Sequence, residues 1–203
     1  MTYYSQIQQD KFVNEYFNKD NGVFIDIGAH NGIDLSNTLF FEKERGWGGI
    51  CIEPCPNNFQ NLIINRTCKC LECAISDYNG DGEFTFITGY SNTLSGLTSD
   101  YHPRHLHRIK REMRDYGCTK ETIIVPVRTL QSVLDEFNIT EVDYCSIDTE
   151  GNELKIVKSI DFDKVKIHLF TIENNYGDNG VREFMESKGY NMLTNRHDEI
   201  FVK

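Results

Sequence analysis

Short apolar runs recur along the chain with amphipathic stretches between them, and this alternation constrains the fold more than any other feature. The runs are 23–27, 49–53, 70–75, 142–147 and 167–172. Between the third and fourth, Leu130, Val133, Leu134 and Phe137 recur at i, i+3, i+4 and i+7, one face of a helix. Phe12, Val13, Tyr16 and Phe17 form a stripe that predicts a helix over 6–18, and Phe59, Leu62 and Ile63 form another after the second run. Strands alternating with helices imply βαβ units, a mainly parallel sheet covered on both faces, and an α/β fold. With 203 residues, 39% of them hydrophobic, and no repeat or linker, the expectation is a single domain over 1–203.

Two segments depart from simple alternation. The turn-rich run Ser76-Asp77-Tyr78-Asn79-Gly80-Asp81-Gly82 precedes Glu83–Thr88, which alternates like a half-buried strand, and a second β segment follows at Thr122–Val127. The residues between, about 88–121, read as an insertion or lid. Near the end, Tyr190–Leu193 and Glu199–Val202 flank a polar turn, the pattern of a terminal antiparallel hairpin.

Charge narrows the function. The chain has 21 Lys and Arg against 31 Asp and Glu, a formal −10, which repels phosphate backbones and anionic lipid and disfavours nucleic-acid and membrane-surface partners. No run approaches the ~18 apolar residues of a membrane span, and the polar start MTYYSQIQQDKF has no secretory pattern. The seven cysteines are an odd number in a chain too long to need staples, so reduced thiols and a cytoplasmic location are expected. Cys68, Cys70 and Cys73 lack the paired knuckles of a zinc site and read as buried thiols.

The most informative segment is Val23-Phe24-Ile25-Asp26-Ile27-Gly28-Ala29-His30-Asn31-Gly32, an apolar strand ending in a glycine-containing loop. Such a loop at the carboxyl end of a strand is where open α/β sheets bind nucleotide-like ligands. It is G-x-x-x-G rather than G-x-G-x-x-G, the Lys and Ser/Thr of a phosphate-binding loop are absent, and Asp26 precedes it. A carboxylate there repels a pyrophosphate and attracts the cationic groups of S-adenosylmethionine. Glu53, before Pro54 at the second strand end, suits two ribose hydroxyls; Ala74 and Ile75 at the third suit an adenine.

These segments, with Ser5-Gln6, Gln9–Phe12, Phe40–Glu44 leading to Gly46-Trp47, Ala74–Asp77 and Ser146-Ile147-Asp148-Thr149-Glu150-Gly151-Asn152-Glu153-Leu154, resemble the FkbM family of S-adenosylmethionine-dependent methyltransferases over nearly the whole chain. The resemblance implies a Rossmann-like class I methyltransferase fold with a mainly parallel seven-stranded sheet, and methyl transfer to a hydroxyl of a sugar, glycan or nucleotide sugar. It also implies that Asp26, Gly28, Ala29, His30, Asn31 and Gly32 hold the methionine part of the cofactor, Glu53 and Pro54 the ribose, and Ala74 and Ile75 the adenine. Asp148 lies where the methyl meets its acceptor. Many relatives carry a Lys before the Ile of this last motif, where this chain has Cys145-Ser146. Family members also occur as domains of larger glycan-building proteins.

Methyl transfer to a hydroxyl needs alignment and removal of a proton. The candidate bases are Asp148, then Glu173, then His30; as an alternative, Asp148 and Glu173 suit Mg²⁺, a hard cation that takes oxygen ligands. Glu150, Asn174, Ser95 and Arg104 are candidates for the acceptor side. Glu153 reads as a first-turn acid complementing a helix dipole. Residues 104–114 hold five Lys or Arg and one acid, so they carry +4 and the rest of the chain −14. That helix, with Leu106, Ile109 and Met113 as its apolar stripe, is either a lid attracting an anionic acceptor or a solvated face. Competing readings are a methyltransferase for a non-carbohydrate small molecule, lipid or peptide, a catalytically silent adenosyl-binding module, and a dehydrogenase; the missing G-x-G-x-x-G opposes the last.

Overall fold

The computed structural model describes residues 1–195 and 198–203. In chain order the elements are α1 (Gln9–Phe17), β1 (Val23–Ile27), α2 (Leu39–Arg45), β2 (Gly48–Ile52), α3 (Pro56–Asn65), β3 (Lys69–Leu71), β4 (Ala74–Ser76), β5 (Gly80–Thr88), β6 (Gly96–Leu97), α4 (Pro103–Tyr116), β7 (Thr119–Thr129), α5 (Leu130–Glu136), β8 (Glu141–Ile147), α6 (Glu153–Lys158), β9 (Lys166–Glu173), α7 (Gly180–Ser187), β10 (Asn191–Asn195) and β11 (Asp198–Val202).

A seven-stranded sheet runs β10-β11-β9-β8-β1-β2-β3. The five strands from β9 to β3 are parallel, while β11 and β10 close the edge in antiparallel pairing, the expected terminal hairpin. The polar turn between them, at 196–197, lies outside the described residues. The chain lays β2 and β3 on one side of β1 and later β8 and β9 on the other, so strand order reverses at β1. Ligands of open α/β sheets bind in the crevice at such a reversal, outside the carboxyl ends of the strands.

The core follows the apolar runs. Ile25, Ile27, Ile50, Ile52, Cys145, Ile147, Phe170 and Ile172 pack with Leu130, Val133 and Leu134 of α5 on one face. Phe24, Phe40, Phe41, Trp47, Tyr144 and Leu169 fill the other.

The structure departs from the sequence reading in five places. The run 70–75 is two strands: β3 pairs with β2, whereas β4 joins a second sheet ordered β4-β7-β5-β6. The split places Cys73 in the main core and Ala74 against Phe84, Val125 and Val127. The first helix starts at Gln9 rather than residue 6, because the Asp10 carboxylate accepts from Ser5 Oγ (2.6 Å) and the Tyr4 amide (2.6 Å) and holds the preceding chain outside the helix. The insertion is 89–118, trimmed at both ends by β5 and β7. In α4, His105, Ile109 and Glu112 face inward and Leu106 is exposed, so polar residues share the buried stripe; Ile63 of α3 is also exposed. Among the described residues no helix is long and apolar enough to cross a membrane.

Candidate active site

The loop after β1 is built by backbone contacts among three strand ends. The Gly28 and Ala29 amides both donate to the Ile52 carbonyl (3.0 and 3.1 Å), and the Asp148 amide donates to the Ile27 carbonyl (3.0 Å). Gly28 has φ +87°, and a Cβ on it would lie 1.9 Å from the Asp148 carbonyl oxygen, so only glycine fits. His30, at φ +50°, turns its amide onto Glu53 Oε2 (2.9 Å), while the Cys55 amide donates to Oε1 (2.9 Å). Both oxygens of this buried carboxylate are thus oriented by backbone amides, and the Asn58 side chain hydrogen-bonds to the same carboxylate. Burial lifts the Glu53 pKa to about 7 against the opposing effect of those two amides.

Asp148, Gly28, His30, Glu53, Ala74 and Ile75 line one cavity of about 530 Å³, within the range of small-molecule sites. Ala29 and Pro54 line it too. Asp26 also borders it, but Thr38 Oγ1 donates to its Oδ2 (2.6 Å) and the Arg66 guanidinium stands 4.0 Å away. Burial raises the Asp26 pKa and Arg66 opposes the rise. Asn31 and Gly32 lie outside the lining. Asn31 Oδ1 accepts from the Ile33 and Asp34 amides, and Gly32 sits over Leu62 and Arg66.

Arg66 escaped the sequence reading. Its buried guanidinium donates to Glu42 Oε2 (2.8 Å), Thr38 Oγ1 (3.0 Å) and Ser36 Oγ (3.3 Å), pinning the chain that follows the glycine loop. An isolated arginine after α3 gives no pattern in sequence. Beside it, Cys51 Sγ and Cys68 Sγ are 3.5 Å apart; Cys51 is buried, whereas Cys68 and Cys70 are only partly so.

At the cavity's other end, oxygens of Asp148, Glu150 and Glu173 all lie within 4.8 Å of one another, the one group with metal-ligating spacing among the described residues. The Ile147↔Ile172 register brings the ends of β8 and β9 side by side. Asp148 opens onto the cavity, yet the surrounding protein and then Glu150 push its pKa well up, with its hydrogen bond to Glu173 opposing. Burial and then Asp148 raise Glu173 as well. Carboxylates crowded this closely disfavour ionisation of all of them at once. Asn175 Nδ2 bridges them to Glu150, donating to Glu173 Oε1 (2.7 Å) and Glu150 Oε2 (3.3 Å).

The other candidates divide. Ser95 borders the cavity with its hydroxyl committed to Asn92 O (2.7 Å). Asn174 turns to Asp178 O and Glu199, and its neighbour Asn175 lines the cavity instead. Arg104 is exposed on α4, and the lining arginine is Arg108, one turn on, whose Nε donates to Glu112 Oε1 (2.8 Å). Asn92 Nδ2 donates to His30 Nε2 (3.1 Å), which occupies the ring nitrogen a base needs. Burial lowers the His30 pKa. Glu153 Oε1 accepts from the Thr149 hydroxyl and amide and from the Gly151 amide, closing the loop before α6.

A family model described as the methyltransferase FkbM domain matches residues 26–192, a span from the end of β1 into β10. The chain belongs to the FkbM methyltransferase family. Among solved structures, an FkbM methyltransferase from Methylobacillus flagellatus KT superposes with a TM-score of 0.54 at 13% identity, over 95% of this chain and 48% of that one. This chain therefore spans about half the length of that relative. The N-terminal domain of human METTL16, solved with S-adenosylhomocysteine, aligns at TM-score 0.48 and 13% identity, over 96% of this chain and 66% of that one. A search of curated proteins finds no match. This FkbM-family chain has the fold of class I S-adenosylmethionine-dependent methyltransferases.

Proposed function

We propose that the protein is an S-adenosylmethionine-dependent O-methyltransferase acting on a hydroxyl of a sugar or glycan. The observation that carries the reading is the cluster of Asp148, Glu150 and Glu173 carboxylates lining the same cavity as the doubly oriented Glu53 carboxylate. The residues fit the cofactor. Glu53 presents an oriented carboxylate to the cavity for the ribose hydroxyls, Ala74 and Ile75 offer a small apolar wall for adenine, and the surplus of carboxylates suits a cation. The bound sulfonium supplies an activated methyl group, so the chain's work is alignment and proton removal. Asp148 reaches the acceptor from a rigid strand end and takes its proton, and Glu173 shares the charge. Such a base contributes about 10²–10⁴-fold.

Asp148, Glu150 and Glu173 are also the residues that would hold Mg²⁺. Chelation separates the roles: turnover lost to a chelator and restored by Mg²⁺ assigns them to the cation, and unchanged turnover assigns them to the proton. The acceptor is tested by incubating the protein with methyl-labelled cofactor and neutral sugars, methyl glycosides and nucleotide sugars. The reading expects label in an O-methyl ether on a sugar. Label in an amine, or only in a non-carbohydrate hydroxyl, contradicts it.

A further inference from the structure

Three cysteines meet at the β2–β3 edge of the main sheet. The strands pair with Cys51 opposite Cys70, and the two-residue period of an extended chain turns Cys68, just ahead of β3, to the same face. Cys51 is part of the core around Phe24 and Leu62, and Cys68 and Cys70 pack against it. The Cys51 and Cys68 sulfurs are 3.5 Å apart, while Cys70 Sγ turns to the Cys68 carbonyl (3.7 Å). None of the chemistry derived above uses them.

The two thiols of the close pair differ. Cys51 is fully buried in β2, which β1 and β3 hold from both sides. Cys68 is partly exposed and follows Arg66 by two residues. Hydrogen bonds from Cys51 and Cys70, and then the Arg66 charge, hold the Cys68 thiol well below its usual range, whereas burial pushes Cys51 up. The nearby acids, Glu42 and Asp26, are already bonded to Arg66 and Thr38. The thiolate is the reactive form of cysteine, and a partly exposed one beside a cation is where oxidants act first. A second sulfur at 3.5 Å stands at attack distance from it.

We propose that Cys51 and Cys68 are a modification site for peroxide, and that their oxidation to a disulfide loosens the chain after the glycine loop. The Cys68 thiolate attacks one oxygen of hydrogen peroxide, the O–O bond breaks, and a sulfenic acid forms as the departing hydroxide takes up a proton. The Cys51 sulfur then attacks the Cys68 sulfur, the S–O bond breaks, and the Cys51 proton leaves with the hydroxyl as water. Two thiols and one peroxide give one disulfide and two waters. The bond draws the sulfurs from 3.5 Å to about 2.05 Å. Cys51 is fixed by pairing on both sides, so residue 68 moves and carries Arg66 and Thr67 with it. Both are bonded to Glu42, and Arg66 holds Ser36 and Thr38, which flank Asn37 in the cavity wall. The effect on binding rests on the cofactor reading above, and the chemistry of the pair does not.

The test treats the full chain with hydrogen peroxide and maps its disulfides by mass spectrometry of unreduced peptides. A Cys51–Cys68 link that dithiothreitol reverses is expected in the wild type, and in Cys51→Ala a sulfenic acid on Cys68 that dimedone traps. Calorimetry with S-adenosylhomocysteine should read binding at least about tenfold weaker in the oxidised wild type, recovery after dithiothreitol, and no effect of peroxide on Cys68→Ser. The proposal is overturned if peroxide leaves both thiols free, if Cys68 links to Cys70 instead, or if the linked protein binds as tightly as the reduced one. If the reduced wild type binds no S-adenosylhomocysteine, that failure belongs to the cofactor assignment, and the peptide map decides the pair alone. Should Cys51→Ala not fold, the wild-type map against that of Cys68→Ser carries the same comparison.

Discussion

The carbonyl oxygen of Asp148 occupies the space that a side chain on Gly28 would need, 1.9 Å from where its Cβ would stand. Gly28 and Asp148, 120 residues apart in sequence, therefore meet backbone to backbone, and the glycine loop and the proposed base are set by one contact. Gly28→Ala must push β1 and β8 apart or rotate φ away from +87°. The variant is expected to bind S-adenosylhomocysteine at least about tenfold more weakly and to melt lower, since overpacking costs about 1–3 kcal/mol. Calorimetry and thermal unfolding read both effects, and wild-type values would remove the contact from the account.

Asp148→Asn removes the proposed base and leaves the loop contacts, which are made by its backbone. Turnover should fall by about 10²–10⁴-fold. Cofactor affinity should stay within about threefold, because the lost side chain acts after binding. Near-normal turnover would take the proton-accepting role away from Asp148.

The pH dependence follows from the crowding of Asp148, Glu150 and Glu173. Both Asp148 and Glu173 are raised, so the base form appears only as pH climbs above the ordinary carboxylate range near 4. The acid limb of the kcat profile should lie well above that range and move on Glu173→Gln. A limb at ordinary carboxylate pH would contradict the pairing.

Glu53 makes a separate prediction about stability. Its folded pKa of about 7 stands above its ordinary 4.5, so its contribution is full below pH 4.5 and is lost as pH rises through 7. The ligand-free protein should melt progressively lower across that window, and Glu53→Gln should flatten the slope. A Tm series from pH 4 to 8 measures it.

Arg66 is buried with Glu42 and near Asp26, and removing one partner of a buried pair costs about 3–5 kcal/mol. Arg66→Met should lower Tm by roughly 6–20 °C and loosen the cofactor loop. An unchanged Tm would mean that the guanidinium is not the clamp under residues 32–38.

Much of this was legible in the sequence because it is periodic or ordered. The alternation of apolar runs specifies the parallel sheet, and the glycine loop, Glu53 and Asp148 lie at successive strand ends, which topology must bring to one rim. Arg66 and His105 were not legible. Each is a lone polar residue whose partners, Asp26 and Glu42 in one case and Leu94, Glu150 and Tyr176 in the other, lie far off in sequence and meet it only through packing. The choice of Arg104 over Arg108 failed by one helical turn, since spacing gives a helix its faces and neighbours decide which face turns inward. The split of 70–75 was hidden because both halves are apolar, although they pair in different sheets.

The central claim is that the β1–β2 rim holds S-adenosylmethionine through Glu53. Calorimetric titration of the wild type and Glu53→Ala with S-adenosylmethionine, and with NAD as a control, tests it most directly. The account predicts one saturable site for S-adenosylmethionine, weakened by about 10- to 100-fold in the variant as a charged hydrogen-bond acceptor is lost, and no binding of NAD. Equal affinity in both proteins, or binding of NAD in place of S-adenosylmethionine, would contradict it.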